Sequence, residues 1–154
     1  MSTARGLANH SLYMGKLLLD AWAQQAARAD IPTQATDAAF APAVRLHLLE
    51  AYGWFLLATI RLSSLPPSPP QSTHELPALA TGLAIPGEVA EYRRLEQDGW
   101  LGRLQAPLPS GLPRRSKTPV LAMSGSYPQI QDYTEWCGSL GALFGRVSDS
   151  LDEN

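Results

Sequence analysis

The spacing of apolar residues predicts a first amphipathic helix over residues 9–29. Its apolar stripe follows the three-and-four spacing of a helix and consists of Leu12, Gly15, Leu19, Trp22 and Ala26. Asn9 or Ser11 is expected to cap its start, because a short polar side chain accepts hydrogen bonds from free backbone N–H groups. Pro32 ends the segment, since proline restricts the residue before it and lacks a backbone donor.

A second helix is predicted over residues 36–63, with Pro42 in about its first turn. One face carries Phe40, Val44, His47, Ala51, Trp54, Phe55 and Ala58. Further apolar residues (Leu46, Leu49, Leu56, Leu57 and Ile60) cover much of the remaining surface. A helix that is apolar on most sides lies at the centre of a fold or at an oligomer interface, so this segment is the predicted central helix.

The rest of the chain alternates between proline-rich connections and helical patterns. Four prolines between residues 65 and 70 indicate a stiff, extended connection. A broken third region follows, over residues 72–82 and 86–105, with Ser72 and Glu75 arranged as a capping box. A long loop over residues 106–126 precedes the last helix, which is predicted over residues 127–151.

These elements predict an all-α, four-helix-bundle-like single domain spanning residues 1–154. Each helical region carries one tryptophan, and these are Trp22, Trp54, Trp100 and Trp136. Large aromatic side chains dominate core packing, so four tryptophans fit the interior of a bundle. The alternative is that they form a surface or pocket for a ligand or partner, with the loop over residues 106–126 as its lid.

The charge content favours a protein partner over a nucleic acid. Charged residues make up 17% of the chain and the formal net charge is −2, whereas ordinary domains carry about 25% charged residues. A nucleic-acid binder normally presents a clustered basic face. The basic cluster here consists of Arg114, Arg115 and Lys117 within a loop rich in proline and glycine, which indicates a solvated loop.

Cysteine content and hydropathy predict a cytoplasmic protein with no membrane partner. Cys137 is the sole cysteine, which excludes an internal disulfide and fits a reducing compartment. The first residues lack the positive-then-apolar order of a secretory signal. The uncharged centre of the most apolar stretch, residues 51–60, is shorter than the roughly 18 residues of a membrane span.

The side chains that carry chemistry predict no metal or cofactor. His47 and Glu50 are three residues apart on the second helix, but a di-iron bundle needs Glu-x-x-His twice with further glutamates. Cys137 falls on the apolar stripe of the last helix, where a cysteine behaves as a small hydrophobic residue. The sequence contains neither a nucleophile elbow nor a glycine-rich phosphate loop.

Arg5 and His10 enclose four residues, a spacing that resembles the Arg-x4–6-His ribonuclease motif of HEPN domains. That resemblance implies a helical RNase or toxin-type protein in which His10 acts as general acid or base beside a cationic Arg5. In the HEPN family the motif lies near the start of a late helix, whereas here it precedes the first predicted helix.

The first part of the chain, over residues 9–61, resembles a family of small gammaproteobacterial proteins classified only as a domain of unknown function. The resemblance rests on residues 9–13, on residues 17–22 and on the apolar run over residues 46–55. It implies a helical protein of the bacterial cytoplasm and supplies no activity.

Three function classes remain open at the level of sequence. The favoured class is a non-enzymatic protein–protein interaction or structural module that forms a homodimer, because the second helix is apolar on many faces and the surface carries little charge. The alternatives are the HEPN-like nuclease and a small-ligand-binding helical bundle that uses the tryptophans.

Overall fold

A computed structural model describes residues 3–79, 87–110 and 127–152, with the side chains of residues 78–79 and 147–152 left out. Every regular element in these ranges is helical, which confirms the all-α prediction. The elements are α1 (Ala4–Ala26), α2 (Thr33–Thr59), a 3-10 turn (Thr73–Glu75) that runs into α3 (Leu76–Leu79), α4 (Gly87–Asp98), α5 (Trp100–Gln105) and α6 (Ile130–Asp152).

Helices α1 and α2 form an antiparallel hairpin. A Cβ atom added at Gly15 of α1 would lie only 2.8 Å from Cδ2 of Leu48, so the glycine lets the two helices approach closely. Further along α1, the ring of Trp22 stacks on that of Phe40, nearer the start of α2, with 6.1 Å between centroids. Residue numbers therefore rise along α1 as they fall along α2.

Helix α1 begins earlier than the sequence predicts, at Ala4 rather than residue 9. The hydroxyl of Thr3 caps it by accepting a hydrogen bond from the N–H of Gly6 at 3.0 Å. The predicted caps at Asn9 and Ser11 are wrong, because both residues lie inside the helix. The first turns bury only small residues (Ala4 and Ala8), which add little to a hydrophobic pattern.

Helix α2 is also displaced from its predicted bounds of 36–63. It begins at Thr33, directly after the extended Pro32, so Pro42 lies well inside it rather than in its first turn. It ends at Thr59 because Arg61 takes a left-handed conformation (φ 54°). The N–H of Arg61 then donates to the carbonyl of Ala58 and that of Leu62 to the carbonyl of Leu57, each at 3.2 Å, as in a Schellman motif.

Helices α4 and α5 run antiparallel to α2. Tyr92 of α4 lies beside the C-terminal part of α2, where its ring centroid is 5.4 Å from that of Phe55. At the end of α5, the carbonyl of Gln105 accepts a hydrogen bond of 2.8 Å from Arg45, which is much earlier in α2. This pair of helices therefore forms the third leg of the bundle.

Helix α6 runs parallel to α2 and completes the bundle. Near its start, Tyr133 packs on Trp22 with ring centroids 6.0 Å apart. Farther along, Phe144 stacks on Phe55 at 4.6 Å. The order of directions is up, down, up and down, which confirms the predicted four-helix-bundle-like architecture.

The third leg differs in detail from its predicted pattern. The segment predicted over residues 72–82 is a 3-10 turn followed by α3, and residues 80–86 lie outside the described part of the chain. Gly99 is extended and separates α4 from α5. The capping box is wrong, because the Glu75 carboxylate accepts from the N–H of Gln71 at 3.0 Å and Ser72 makes no side-chain cap.

Helix α2 is the central helix, as predicted. Its buried side chains point in many directions around the axis, and they include Val44, Leu48, Tyr52, Phe55, Leu56 and Leu57. Helices α1, α4, α5 and α6 all contact it. Full burial of one large aliphatic side chain stabilises a fold by about 1.5–3 kcal/mol, so α2 supplies much of the core.

None of the helices in the described ranges is both long and apolar enough to cross a membrane.

The proline-rich connection lies against α2 at Gly53. A Cβ atom added at Gly53 would overlap the carbonyl oxygen of Pro70 and lie 2.7 Å from Cβ of Pro69. A backbone oxygen cannot rotate away as a side chain can. The contact therefore requires glycine at this buried position.

We expect Gly53→Ala to lower the free energy of unfolding by about 1–3 kcal/mol, since overpacking displaces backbone or side chains. The matched control is Gly138→Ala, an exposed site in α6 where an added Cβ meets nothing within 4 Å. There alanine should stabilise the protein by up to about 1 kcal/mol. Urea unfolding of both variants measures the difference. Equal effects would contradict the close packing of the connection on α2.

Candidate functional site

The carboxylate of Glu96 in α4 is the centre of the main polar cluster. It accepts hydrogen bonds from the hydroxyl of Tyr52 (2.7 Å), from the N–H and the hydroxyl of Thr73 (2.9 and 2.7 Å) and from the amide of Gln105 (3.2 Å). These donors come from α2, from the start of the 3-10 turn and from the end of α5. One side chain therefore joins three separate parts of the chain to α4.

Within this cluster, the Tyr52 hydroxyl acts as a hydrogen-bond donor rather than as an acid or base. Burial raises the pKa of Tyr52 far above its usual range, and the hydrogen bond to Glu96 raises it further. The hydroxyl consequently stays protonated and donates a hydrogen bond to the carboxylate. A group that does not titrate near neutral pH is poorly suited to general acid–base catalysis.

Arg45 of α2 fixes the C-terminal end of α5. Its Nη2 donates to the carbonyl of Gln105 at 2.8 Å and its Nε to that of Ala106 at 3.3 Å. A cation at the end of a helix satisfies free carbonyls and interacts favourably with the helix dipole. The amide of Gln105 donates onward to the carbonyl of Gln71 at 3.0 Å, which connects α5 to the proline-rich connection.

A pocket of about 230 Å³ lies beside this cluster, between α2, the connection and α5. Its lining is mainly polar and consists of Arg45, Leu49, Gln71, Ser72, Glu75 and Gln105. The sequence does not predict this site, because its residues form no local motif and come from three distant segments. The polar residues that follow the prolines are a partial signal, but their spacing predicts a helix cap rather than a pocket.

The structure does not bring Arg5 and His10 together on one face of a helix. Both residues lie in α1 and both are exposed. Five positions at 3.6 residues per turn separate their directions by about 140°. Arg5 has an interaction of its own within the chain. The nuclease hypothesis stays a prediction. The different directions of Arg5 and His10 on α1 do not support a shared catalytic site.

The four tryptophans divide into two groups. Trp22 and Trp136 are buried and both contact Tyr133, whose ring lies edge-on to Trp136 with centroids 5.0 Å apart. The indole N–H of Trp22 has no hydrogen-bond partner among the residues that the structure describes. Trp54 and Trp100 are half-buried and pack against the core from its edge. None of the four lines the pocket described above.

The remaining candidate residues occupy separate places. His47 and Glu50 are half-buried on α2. Within the described ranges, no group of three His, Cys, Asp or Glu side chains could hold a metal ion. Cys137 is buried, and this burial raises its pKa, while Lys16 acts in the opposite direction. Arg114, Arg115 and Lys117, with most of the predicted loop over residues 106–126, lie outside the described residues.

Large exposed hydrophobic side chains occur on two helices. Tyr13 (57% exposed) and Leu17 (48%) are one turn apart on α1, and Leu46 (55%) lies on α2. The other apolar sides of α2 are mostly covered by the chain itself, so they no longer offer the oligomer surface that its sequence suggested. The outward side of α1 is the better candidate for a contact surface.

Comparison of the chain with protein-family models, curated proteins and solved structures gives no match. The resemblance of residues 9–61 to a gammaproteobacterial family therefore stays a prediction.

We expect Glu96→Ala to lower the free energy of unfolding by about 3 kcal/mol, because each buried donor left without a partner costs about 1–3 kcal/mol. Glu75→Ala is the matched control, since Glu75 is exposed and accepts one hydrogen bond, from Gln71. It should cost less than about 1 kcal/mol. Chemical denaturation of both variants tests this, and equal losses would show that Glu96 is not the organising group.

Alkaline pH should destabilise the fold, because burial raises the pKa of Tyr52, Tyr92 and Tyr133. A tyrosine whose pKa is higher in the folded than in the unfolded chain contributes its full stability below its unfolded pKa of about 10. That contribution is lost as the pH rises above this value, where the unfolded state releases its proton first. The free energy of unfolding should therefore fall steadily above pH 10.

Tyr133→Phe tests this pH dependence, because no hydrogen bond of the Tyr133 hydroxyl within the described residues is lost with it. The variant should show a shallower fall above about pH 10, by up to 1.4 kcal/mol per pH unit. Denaturant unfolding at several pH values measures the slope. An unchanged slope would contradict the effect assigned to burial of this ring.

Proposed function

We propose that this chain is a non-enzymatic protein–protein interaction module of the bacterial cytoplasm, and that it associates with a second copy of itself through α1. The observation that carries this proposal is the exposed pair Tyr13 and Leu17 on the outward side of α1. Adjacent exposed apolar side chains favour a contact surface more than scattered ones do. The low charge content of the chain, 17%, supports the same interpretation.

The outward face of α1 has the spacing of a helix–helix contact. The residues that share this face are Gly6, His10, Tyr13, Leu17, Asp20 and Gln24, and all six are exposed. Their separations alternate between four and three, which keeps them on one stripe of a helix. The residues that α1 buries, such as Ala8, Gly15 and Trp22, point to the other side.

This stripe is self-complementary for an antiparallel pair of α1 helices. Tyr13 and Leu17 lie at equal distances on either side of position 15, and so do His10 and Asp20. In a two-fold arrangement centred there, Tyr13 would face Leu17 of the second copy and His10 would face its Asp20. Such isologous pairing needs a surface that complements itself, in both shape and charge.

The test compares Leu17→Glu with Leu46→Glu by sedimentation equilibrium across the micromolar range. Both leucines are about half exposed, but Leu46 lies on α2 outside the proposed stripe. We expect Leu17→Glu to shift the protein to monomer and Leu46→Glu to leave association unchanged, because a charge buried without a partner weakens an interface. A wild-type monomer throughout, or equal sensitivity of both variants, would refute the proposed surface.

The pairing of His10 with Asp20 gives a second test of the antiparallel arrangement. Asp20→Lys should weaken association several-fold by placing a second basic group opposite His10. Adding His10→Asp to the same chain should restore it, since an acidic and a basic side chain then face each other again. Failure of the double variant to recover, with the fold intact by circular dichroism, would contradict the two-fold axis at position 15.

A further inference from the structure

We propose that the pocket between α2, the proline-rich connection and α5 binds a small zwitterion of the size of a free amino acid. Its walls carry one positively charged side chain, Arg45, and one negatively charged side chain, Glu75. The two do not pair with each other, because within the described residues the ion pairs closer than 4 Å are Arg28–Asp30 and Arg146–Glu91. A pocket lined by one positive and one negative side chain suits a ligand that carries both a negative and a positive group.

Two hydrogen bonds fix the position of the Arg45 side chain and use only part of its N–H donors. Its Nε and Nη2 atoms bind the carbonyls of Ala106 and Gln105, which orients the planar guanidinium. A guanidinium has five N–H donors, and the Nη1 group makes no hydrogen bond to the described residues, which leaves it for a ligand carboxylate. A side chain that is already ordered loses little further entropy when a ligand binds.

Glu75, the acidic residue of the pocket lining, is also positioned by a hydrogen bond within the chain. Its Oε2 atom accepts from the N–H of Gln71 at 3.0 Å, while Oε1 accepts no hydrogen bond from the described residues. A ligand ammonium can therefore bind the free oxygen. The Ser72 hydroxyl and the Gln105 amide oxygen are additional polar groups of the lining, and Leu49 provides an apolar contact for a short side chain.

The size and charge of the pocket favour a small ligand that carries both charges. A volume of about 230 Å³ is below the roughly 300–1,000 Å³ of pockets that hold drug-sized ligands. An inorganic anion would be repelled by the Glu75 carboxylate, and a simple cation would be repelled by the Arg45 guanidinium. Like charges at close range disfavour binding. A compact molecule with a carboxylate and an ammonium satisfies both residues.

The experiment is isothermal titration calorimetry of the full chain with glycine, L-alanine, L-serine and L-glutamine. Each is compared with its amide, which lacks the carboxylate, and with its N-acetyl derivative, which lacks the ammonium. We expect at least one free amino acid to bind and both of its derivatives to bind at least ten-fold more weakly. Absence of binding by all four at millimolar concentration overturns the proposal, and so does equal binding of a derivative.

Glu75→Gln assigns the binding to this pocket. Its amide oxygen can still accept from Gln71, so the fold is retained while the charge is lost. Affinity should fall at least ten-fold, whereas Glu88→Gln, an exposed control on α4, should have no effect. If neither variant loses affinity, or if both lose it equally, the ligand binds elsewhere and the proposed pocket is wrong. No lining residue lies on α1, so the result is separate from that of self-association.

Discussion

The carboxylate of Glu96 is the group on which the third leg of the bundle depends. Helix α4 has few apolar residues of its own, and Val89 and Tyr92 are the ones it buries. Packing alone therefore holds this helix less firmly than it holds α1 or α6. Four hydrogen bonds from Tyr52, Thr73 and Gln105 supply the missing constraint. Each donor is neutral, so the carboxylate gains partners without a buried ion pair and its large desolvation penalty.

The proline-rich connection depends on the same cluster. An extended proline segment makes no internal hydrogen bonds, so its position must be set by contacts with other parts of the chain. Its C-terminal end is set by the close contact of Pro70 with Gly53, and the residues that follow it are held by the bonds of Thr73 to Glu96. Gln71 lies between them and is bound by Gln105. The pocket exists because these contacts hold the connection beside α2 and α5.

Sequence periodicity was sufficient to predict the helical class and the central position of α2, because both follow from which residues are apolar. It failed where local structure depends on a single contact. The start of α1 is fixed by the Thr3 hydroxyl, and the end of α2 by the left-handed conformation of Arg61, a position that usually favours glycine. The bonds of Glu96 join residues far apart in the sequence, and no spacing rule connects them. The capping box failed because Glu75 binds Gln71 instead.

The outward stripe of α1 follows from how its inward side is built. Gly15 lets α1 lie close to α2, and the buried side of α1, which includes Ala4 and Ala8, fixes the rotation of the helix about its axis. The same rotation directs Tyr13 and Leu17 to solvent. Polar residues at these two positions would serve the fold of a single chain equally well, since neither side chain contributes to the buried core. Both side chains are therefore available for the proposed contact with a second copy, and the symmetric placement of His10 and Asp20 is consistent with that arrangement.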